Sequence, residues 1–98
     1  MNNRYWVYLL ASAPRGYLYV GVTNNLPRRC YEHREKIIQG HTAKYNITQL
    51  VYYQEFTEIT EAIRREKQLK RYSRQLKFQI VEEHNPSWKD LSKTLQAL

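Results

Sequence analysis

Two aromatic, strand-like runs joined by a very short turn constrain this chain more than anything else in it. Tyr5 to Ala11 and Tyr17 to Val22 are rich in aromatic and aliphatic residues, the composition that suits a half-buried pleated surface. Between them stands Ser12-Ala13-Pro14-Arg15-Gly16, with Pro and Gly as turn punctuation. A connection that short makes the two runs neighbours in an antiparallel hairpin. Strand alternation puts Tyr17, Tyr19 and Gly21 on one side and Leu18, Val20 and Val22 on the other.

The remaining elements follow from periodicity and caps. Thr23-Asn24-Asn25 offers several N-caps and Pro27 suits a first turn, which predicts a helix from about Leu26 to Gln39, stopped by Gly40. On it Leu26, Cys30, His33 and Ile37 share a stripe with Arg29 at its edge, and Glu32 pairs with Lys36 on the other side. His41 to Thr48 reads as a loop and Leu50 to Phe56 as a third strand. Thr57 or Thr60 caps a helix to about Arg71; after a break at Tyr72-Ser73 another helix runs to about Glu83. Asn85-Pro86 ends that helix, and Ser87 caps a last one from Trp88 to about Leu95. The order β-β-α-β-α-α-α is an α+β fold, a three-stranded antiparallel sheet flanked by helices. One domain over residues 1–98, with a helical tail from residue 87, is expected. Leu91, Leu95 and Leu98 are expected to pack on their own core, which favours a monomer.

Composition narrows the partners. No apolar run is long enough for a transmembrane helix, the N-terminus lacks a signal-peptide pattern, and the single Cys30 excludes an internal disulfide and a cysteine-based zinc site. A cytoplasmic protein without a membrane role is the expectation. The formal charge of +7 points to a polyanion. Arg64, Arg65, Lys67, Lys70, Arg71, Arg74 and Lys77 crowd one segment. Of these, Arg64, Lys67, Lys70, Arg71 and Arg74, with Arg28 and Lys44 elsewhere, are the candidate phosphate contacts.

Several side chains have the chemistry for phosphodiester cleavage. Glu66 follows Ile59, Ala62 and Ile63 and precedes Leu69 at helical spacing, so it sits in or beside an apolar stripe. A carboxylate there is paired with Arg65, Lys67 or Lys70, or it holds a Mg²⁺ ion, which often needs only one or two carboxylates beside phosphate oxygens and water. Arg29 and His33 are four apart and lie side by side near a helix N-terminus, where an anion is favoured. Either they are a surface arginine paired with Glu32 or Glu35 and a half-buried histidine, or they supply a phosphate fork and a proton carrier. Tyr8 and Tyr19 stand mid-strand on paired neighbours, and Gly21 on the Tyr19 face permits a close approach.

Taken together, Trp6-Val7-Tyr8, Tyr19-Val20-Gly21, Arg29, His33 and Glu66 resemble the motifs of the GIY-YIG nuclease superfamily, which includes the nuclease domain of the excision-repair subunit UvrC and certain homing and restriction endonucleases. The triplets stand where that family has Gly-Ile-Tyr and Tyr-Ile-Gly, and Glu66, within Glu61-Ala62-Ile63-Arg64-Arg65-Glu66-Lys67, matches its metal-binding glutamate. Gly21, Thr23 and Asn85 fill supporting positions. The likeness spans about residues 4 to 86 and is greatest to small stand-alone bacterial members. Trp6 replaces the first glycine, and Val22 stands where some relatives carry a lysine. The resemblance implies Mg²⁺- or Mn²⁺-dependent hydrolysis of DNA at nicked, branched or single-stranded structures in repair or processing, with RNA left open. In it Tyr8 or Tyr19 takes a proton from water, directly or through His33, Arg29 steadies the phosphoryl charge and Glu66 holds the metal. The alternative is a nucleic-acid-binding module of the same fold that does not cleave.

Overall fold

The computed structural model describes residues 3–95. Its central strand is β1 (Tyr5–Ala11), flanked by β2 (Leu18–Thr23) and β3 (Gln49–Phe56) in a three-stranded antiparallel sheet of order β2-β1-β3. The nearly unbroken apolar run of β1 is the signature of a strand covered on both faces. Val7, Leu9 and Ala11 face a core shared with Ala62, Leu69, Phe78, Val81 and Trp88. Trp6, Tyr8 and Leu10 face a second core with Leu26, Cys30, Ile47, Leu50 and Leu95. Helices α3 (Ile59–Arg71) and α4 (Arg74–His84) therefore cover one face, and α1 (Leu26–Arg34) the other. The α+β class and the expected sheet are observed.

The helix ends differ from expectation in instructive ways. Asn25 is the N-cap of α1, its side chain accepting from the Arg28 N–H at 3.1 Å. The helix stops at Arg34 rather than Gln39, because Lys36 turns left-handed (φ 57°). The Lys36 and Ile37 N–H groups then bond back to the His33 and Glu32 carbonyls, a Schellman closure made without glycine. Ile37 thereby leaves the expected stripe and is 56% exposed, and Glu32 pairs with Arg29 (3.5 Å) and Arg28 (3.9 Å) instead of Lys36. Within the expected loop lies a single helical turn, α2 (His41–Lys44), entered through Gly40 at φ 108°. Neither Thr57 nor Thr60 caps α3; Glu58 holds that place without a side-chain bond.

The C-terminal segment is also rearranged. Trp88 has a left-handed backbone (φ 56°), so no helix starts there; Asp90 caps a short 3-10 turn at Leu91–Thr94. The Trp88 ring packs edge-on to Phe78 and its Nε1–H donates to Glu82 at 2.7 Å. Leu91 and Leu95 join the second core as expected, while Leu98 lies outside the described residues. Asn85 donates to the Val51 and Lys89 carbonyls and accepts from the Lys89 N–H; Asp90 accepts from the Leu50 N–H. These bonds satisfy the outer edge of β3 beside its bulge, where Leu9 faces Tyr52 but Leu10 faces Leu50. No described helix is long and apolar enough to cross a membrane.

Candidate functional site

The site is built outward from Tyr8. Its place on β1 is opposite Gly21 in the β1–β2 ladder, and a Cβ at position 21 would lie 2.5 Å from the Tyr8 hydroxyl oxygen. Gly21 is thus a glycine because the phenol of Tyr8 lies across its backbone, an overlap that could be relieved only by displacing a buried ring. The ring is only 1% exposed, and its hydroxyl shares a 3.1 Å hydrogen bond with His33 Nε2. Tyr19, half-buried on β2, completes a cluster of rings, its centroid 6.2 Å from Tyr8 and 5.4 Å from His33.

His33 is 1% exposed and bonded at both nitrogens. Its Nδ1 meets the Oγ1 of Thr42 at 3.1 Å, and Thr42 is itself buried. Thr42 escaped the sequence reading. It belongs to the single turn of α2, whose existence depends on the left-handed Gly40 and on packing rather than on any local pattern. The chain Tyr8–His33–Thr42 therefore links β1, α1 and α2.

Electrostatics tie Arg29 and Glu66 to the same phenol. Burial raises the Tyr8 pKa well above that of an ordinary phenol, the neighbouring Tyr19 adds to this, Arg29 opposes it, and Cys30 and Glu66 raise it further. The His33 pKa is lowered, first by burial and then by Arg29, against a smaller opposing pull from Glu32. At neutral pH both rings are uncharged, and the guanidinium of Arg29 is the nearby cation that a lysine at position 22 does not provide. Val22 instead packs against the first core. Trp6, at the position of the family's first glycine, is buried in the second core under the Arg4 guanidinium, 4.9 Å from its ring centre. That position packs in the core.

Glu66 stands on α3, near enough for its charge to raise the Tyr8 pKa slightly. It falls between the buried Ala62 and Leu69 on the inward face, and its side chain is 17% exposed. The stripe is narrower than the sequence suggested, since Ile59 and Ile63 are exposed. One carboxylate oxygen meets Lys70 Nζ at 3.2 Å, so a local pair exists. Lys70 is more than half exposed, so water competes with it for that carboxylate. Among the described residues no three acidic, histidine or cysteine side chains gather as a metal cage. A mostly sheltered carboxylate with one exposed partner fits a hard cation that takes its other oxygens from water and phosphate.

Other expected site residues do structural work. Thr23 Oγ1 accepts from the Asn25 N–H at 3.1 Å, shaping the turn from β2 into α1. All the partners of Asn85 are backbone atoms of β3 and of the closing turn. Arg74 donates to the Arg15 carbonyl at 2.9 Å and lies over Phe78, bracing the β1–β2 turn. Arg64, Lys67 and Arg71 are exposed along the outer side of α3, Arg64 paired with Glu61 at 3.0 Å; Lys70 is exposed at the flank beside Glu66, and Arg28 and Lys44 are exposed on α1 and α2. Cys30, free and buried, has its thiol pushed up to about 12, chiefly by burial, so it is no nucleophile. A hollow of about 310 Å³ along β3 is lined by Val51, Tyr52, Tyr53, His84 and Leu91; it holds no carboxylate or guanidinium and shares no residue with the ring cluster.

Comparison with known proteins agrees with this architecture. The model of the GIY-YIG catalytic domain matches residues 4–79. A UPF0213 protein of Staphylococcus haemolyticus is 36% identical over 84 residues, covering 82% of this chain and 96% of that protein. A UPF0213 protein of Haloquadratum walsbyi is 34% identical over 87 residues, covering 85% and 92%. The solution NMR structure of a UPF0213 protein from Bacillus halodurans superposes with a TM-score of 0.56 at 27% identity, over 97% of this chain and 99% of the other. With the domain match running through both tyrosine strands, α1 and α3, the chain belongs to the GIY-YIG family of nuclease catalytic domains.

Proposed function

We propose that this chain is a divalent-metal-dependent endonuclease that hydrolyses DNA phosphodiester bonds in the cytoplasm, in repair or processing of nicked, branched or single-stranded DNA. One observation carries the reading: the phenol of Tyr8 is hydrogen-bonded to His33 and lies within the electrostatic reach of Tyr19, Arg29 and Glu66. The phenol is bonded to His33, has the Tyr19 ring 6.2 Å from its own, and feels the charges of Arg29 and Glu66 at longer range.

The proton route follows from the pKa directions. Burial keeps Tyr8 neutral, so it takes a proton from water only as it gives up its own. The receiver is His33 Nε2, 3.1 Å away, provided Nδ1 carries the ring proton and donates it to Thr42. His33 starts uncharged, which leaves Nε2 free to accept. Tyr19, less buried, presents its hydroxyl to the attacking water or to the phosphate. Arg29 offers its planar fork to the phosphoryl oxygens and already meets Glu32 only loosely, at 3.5 Å. Glu66 would hold Mg²⁺ or Mn²⁺, whose contribution is to polarise the phosphate and stabilise the leaving oxygen.

The test is a cleavage panel of nicked, branched, single-stranded and duplex DNA, with an RNA strand for comparison, in Mg²⁺ and in Mn²⁺. Cleavage is expected, with Glu66→Ala and Arg29→Ala each lowering the rate by about 10²–10³-fold. Tyr8→Phe is expected to cost more than Tyr19→Phe. DNA binding without cleavage of any member would leave the binding-module reading in place.

A further inference from the structure

Beside the ring cluster the chain holds a second aromatic group in water. Tyr17 is 54% exposed and Tyr45 is 37% exposed, with ring centroids 5.1 Å apart and planes at 49°. His41, also exposed, lies 4.9 Å from Tyr45 at 55°, and Lys44 Nζ lies 5.4 Å from the Tyr45 ring centre. Flat apolar rings gathered at the surface signal a binding face rather than a core.

Its position is informative. Tyr17 leads into β2 on the same side as Tyr19, by strand alternation. His41, Lys44 and Tyr45 belong to α2 and its C-cap, the turn whose Thr42 bonds His33. Both elements that carry the aromatic surface also carry residues of the candidate site, so the fold places the two near one another.

Resting on the nuclease reading, we infer that Tyr17, Tyr45 and His41 form a stacking platform for unpaired nucleobases next to the scissile phosphate, and that the substrate is single-stranded there. In a duplex each base face is covered by its neighbours, leaving edges and phosphates outside. A bare tyrosine face finds a matching partner on an unstacked base, whatever its identity. Lys44 supplies a cation for the phosphate that accompanies such a base. The net charge of +7 favours a polyanionic strand over a neutral peptide as occupant.

The experiment measures binding without cleavage. Fluorescence anisotropy of the full chain in EDTA compares labelled oligothymidylate with a blunt mixed-sequence duplex of the same length. Tyr45→Ala and Tyr17→Ala are each expected to weaken strand binding by about tenfold and to leave duplex binding unchanged, while Tyr45→Phe retains the strand affinity. Thermal melting checks each variant, and Tyr45→Phe against Tyr45→Ala keeps the comparison within one site. Unchanged strand binding in both alanine variants overturns the inference, as expected if the platform serves a protein segment. Equal loss on strand and duplex overturns it too. A chain that cleaves with Mg²⁺ yet shows no tyrosine-dependent strand preference keeps the nuclease reading and loses this one. Tyrosine-dependent strand binding without cleavage by any metal keeps the platform and loses the nuclease.

Discussion

Thr42 is the residue that most changes how the site is read. The tyrosines, Arg29, His33 and Glu66 were legible because each is fixed by a local period: two for the strands, 3.6 for the helices. Thr42 has no such mark, since its turn is set by the left-handed Gly40 and by contact with the ring of His33. If it orients His33, Thr42→Val deprives Nδ1–H of its acceptor, and the tautomer that leaves Nε2 open to Tyr8 loses its advantage. The cleavage rate should fall about 10–100-fold, and Thr42→Ser should restore it. A positioning role also moves the pH profile. Activity requires neutral His33, whose pKa is already lowered, so the acid limb lies below pH 6.5. Losing the Thr42 acceptor destabilises the imidazolium further and shifts the limb to still lower pH. The same group gives stability a definite sign. Between its folded pKa and about 6.5 the unfolded chain binds a proton that the folded chain refuses, so stability falls as pH falls through that window. A rate loss in Thr42→Val with no movement of the limb would reduce Thr42 to a packing residue.

At the level of elements, the strands and the cores of the helices were readable, and their ends were not. Strand β1 announces itself by an apolar run that only a central strand needs. The end of α1 was hidden because a lysine, rather than the downstream glycine, adopts the left-handed closing conformation. The last helix failed because Trp88 is engaged by Phe78 and Glu82, contacts that no local pattern encodes. Glu82 is the joint of that arrangement. It accepts both Arg15 bonds, at 2.9 and 2.8 Å, and the Trp88 indole N–H, tying the β1–β2 turn to α4 and the C-terminal segment. These bonds, Arg15 first and Trp88 next, hold its carboxyl down at about 2. A depressed folded pKa makes the sign clear: the tie is fully present above the ordinary glutamate value near 4.5 and is lost as pH falls toward about 2. Urea midpoints measured between pH 5 and pH 2 should fall less steeply in Glu82→Gln than in the wild type. Parallel curves would show that the tie carries no stability of its own.

For the molecule as a whole, the question is which of its cations meet nucleic acid, because a charge of +7 alone does not say. The structure divides the sequence cluster in two. Arg65 is held by Gln54 and Gln68 and lies near the Tyr72 ring, and Arg74 is held by the Arg15 carbonyl, so both are engaged in the fold. Arg64, Lys67 and Arg71 recur at helical spacing on the exposed side of α3, the helix whose opposite face presents Glu66 toward the sheet. A strand with one phosphate at Glu66 would meet that row with its flanking phosphates by passing around the side of α3 beside Lys70. Each phosphate contact on a single strand contributes a slope of about −0.7 in log affinity against log salt. Replacing all three residues with alanine should therefore flatten the slope by about two, while stability changes by no more than about 0.5 kcal/mol per position, as expected for exposed positions. Arg15→Ala and Arg74→Ala should behave oppositely, loosening the β1–β2 turn and lowering the melting temperature with little effect on the slope. Salt titrations of oligothymidylate binding, run beside thermal melts of the same variants, separate the two groups. An unaltered slope in the triple variant would move the phosphate path off α3 and onto the Arg28 and Lys44 side of the site.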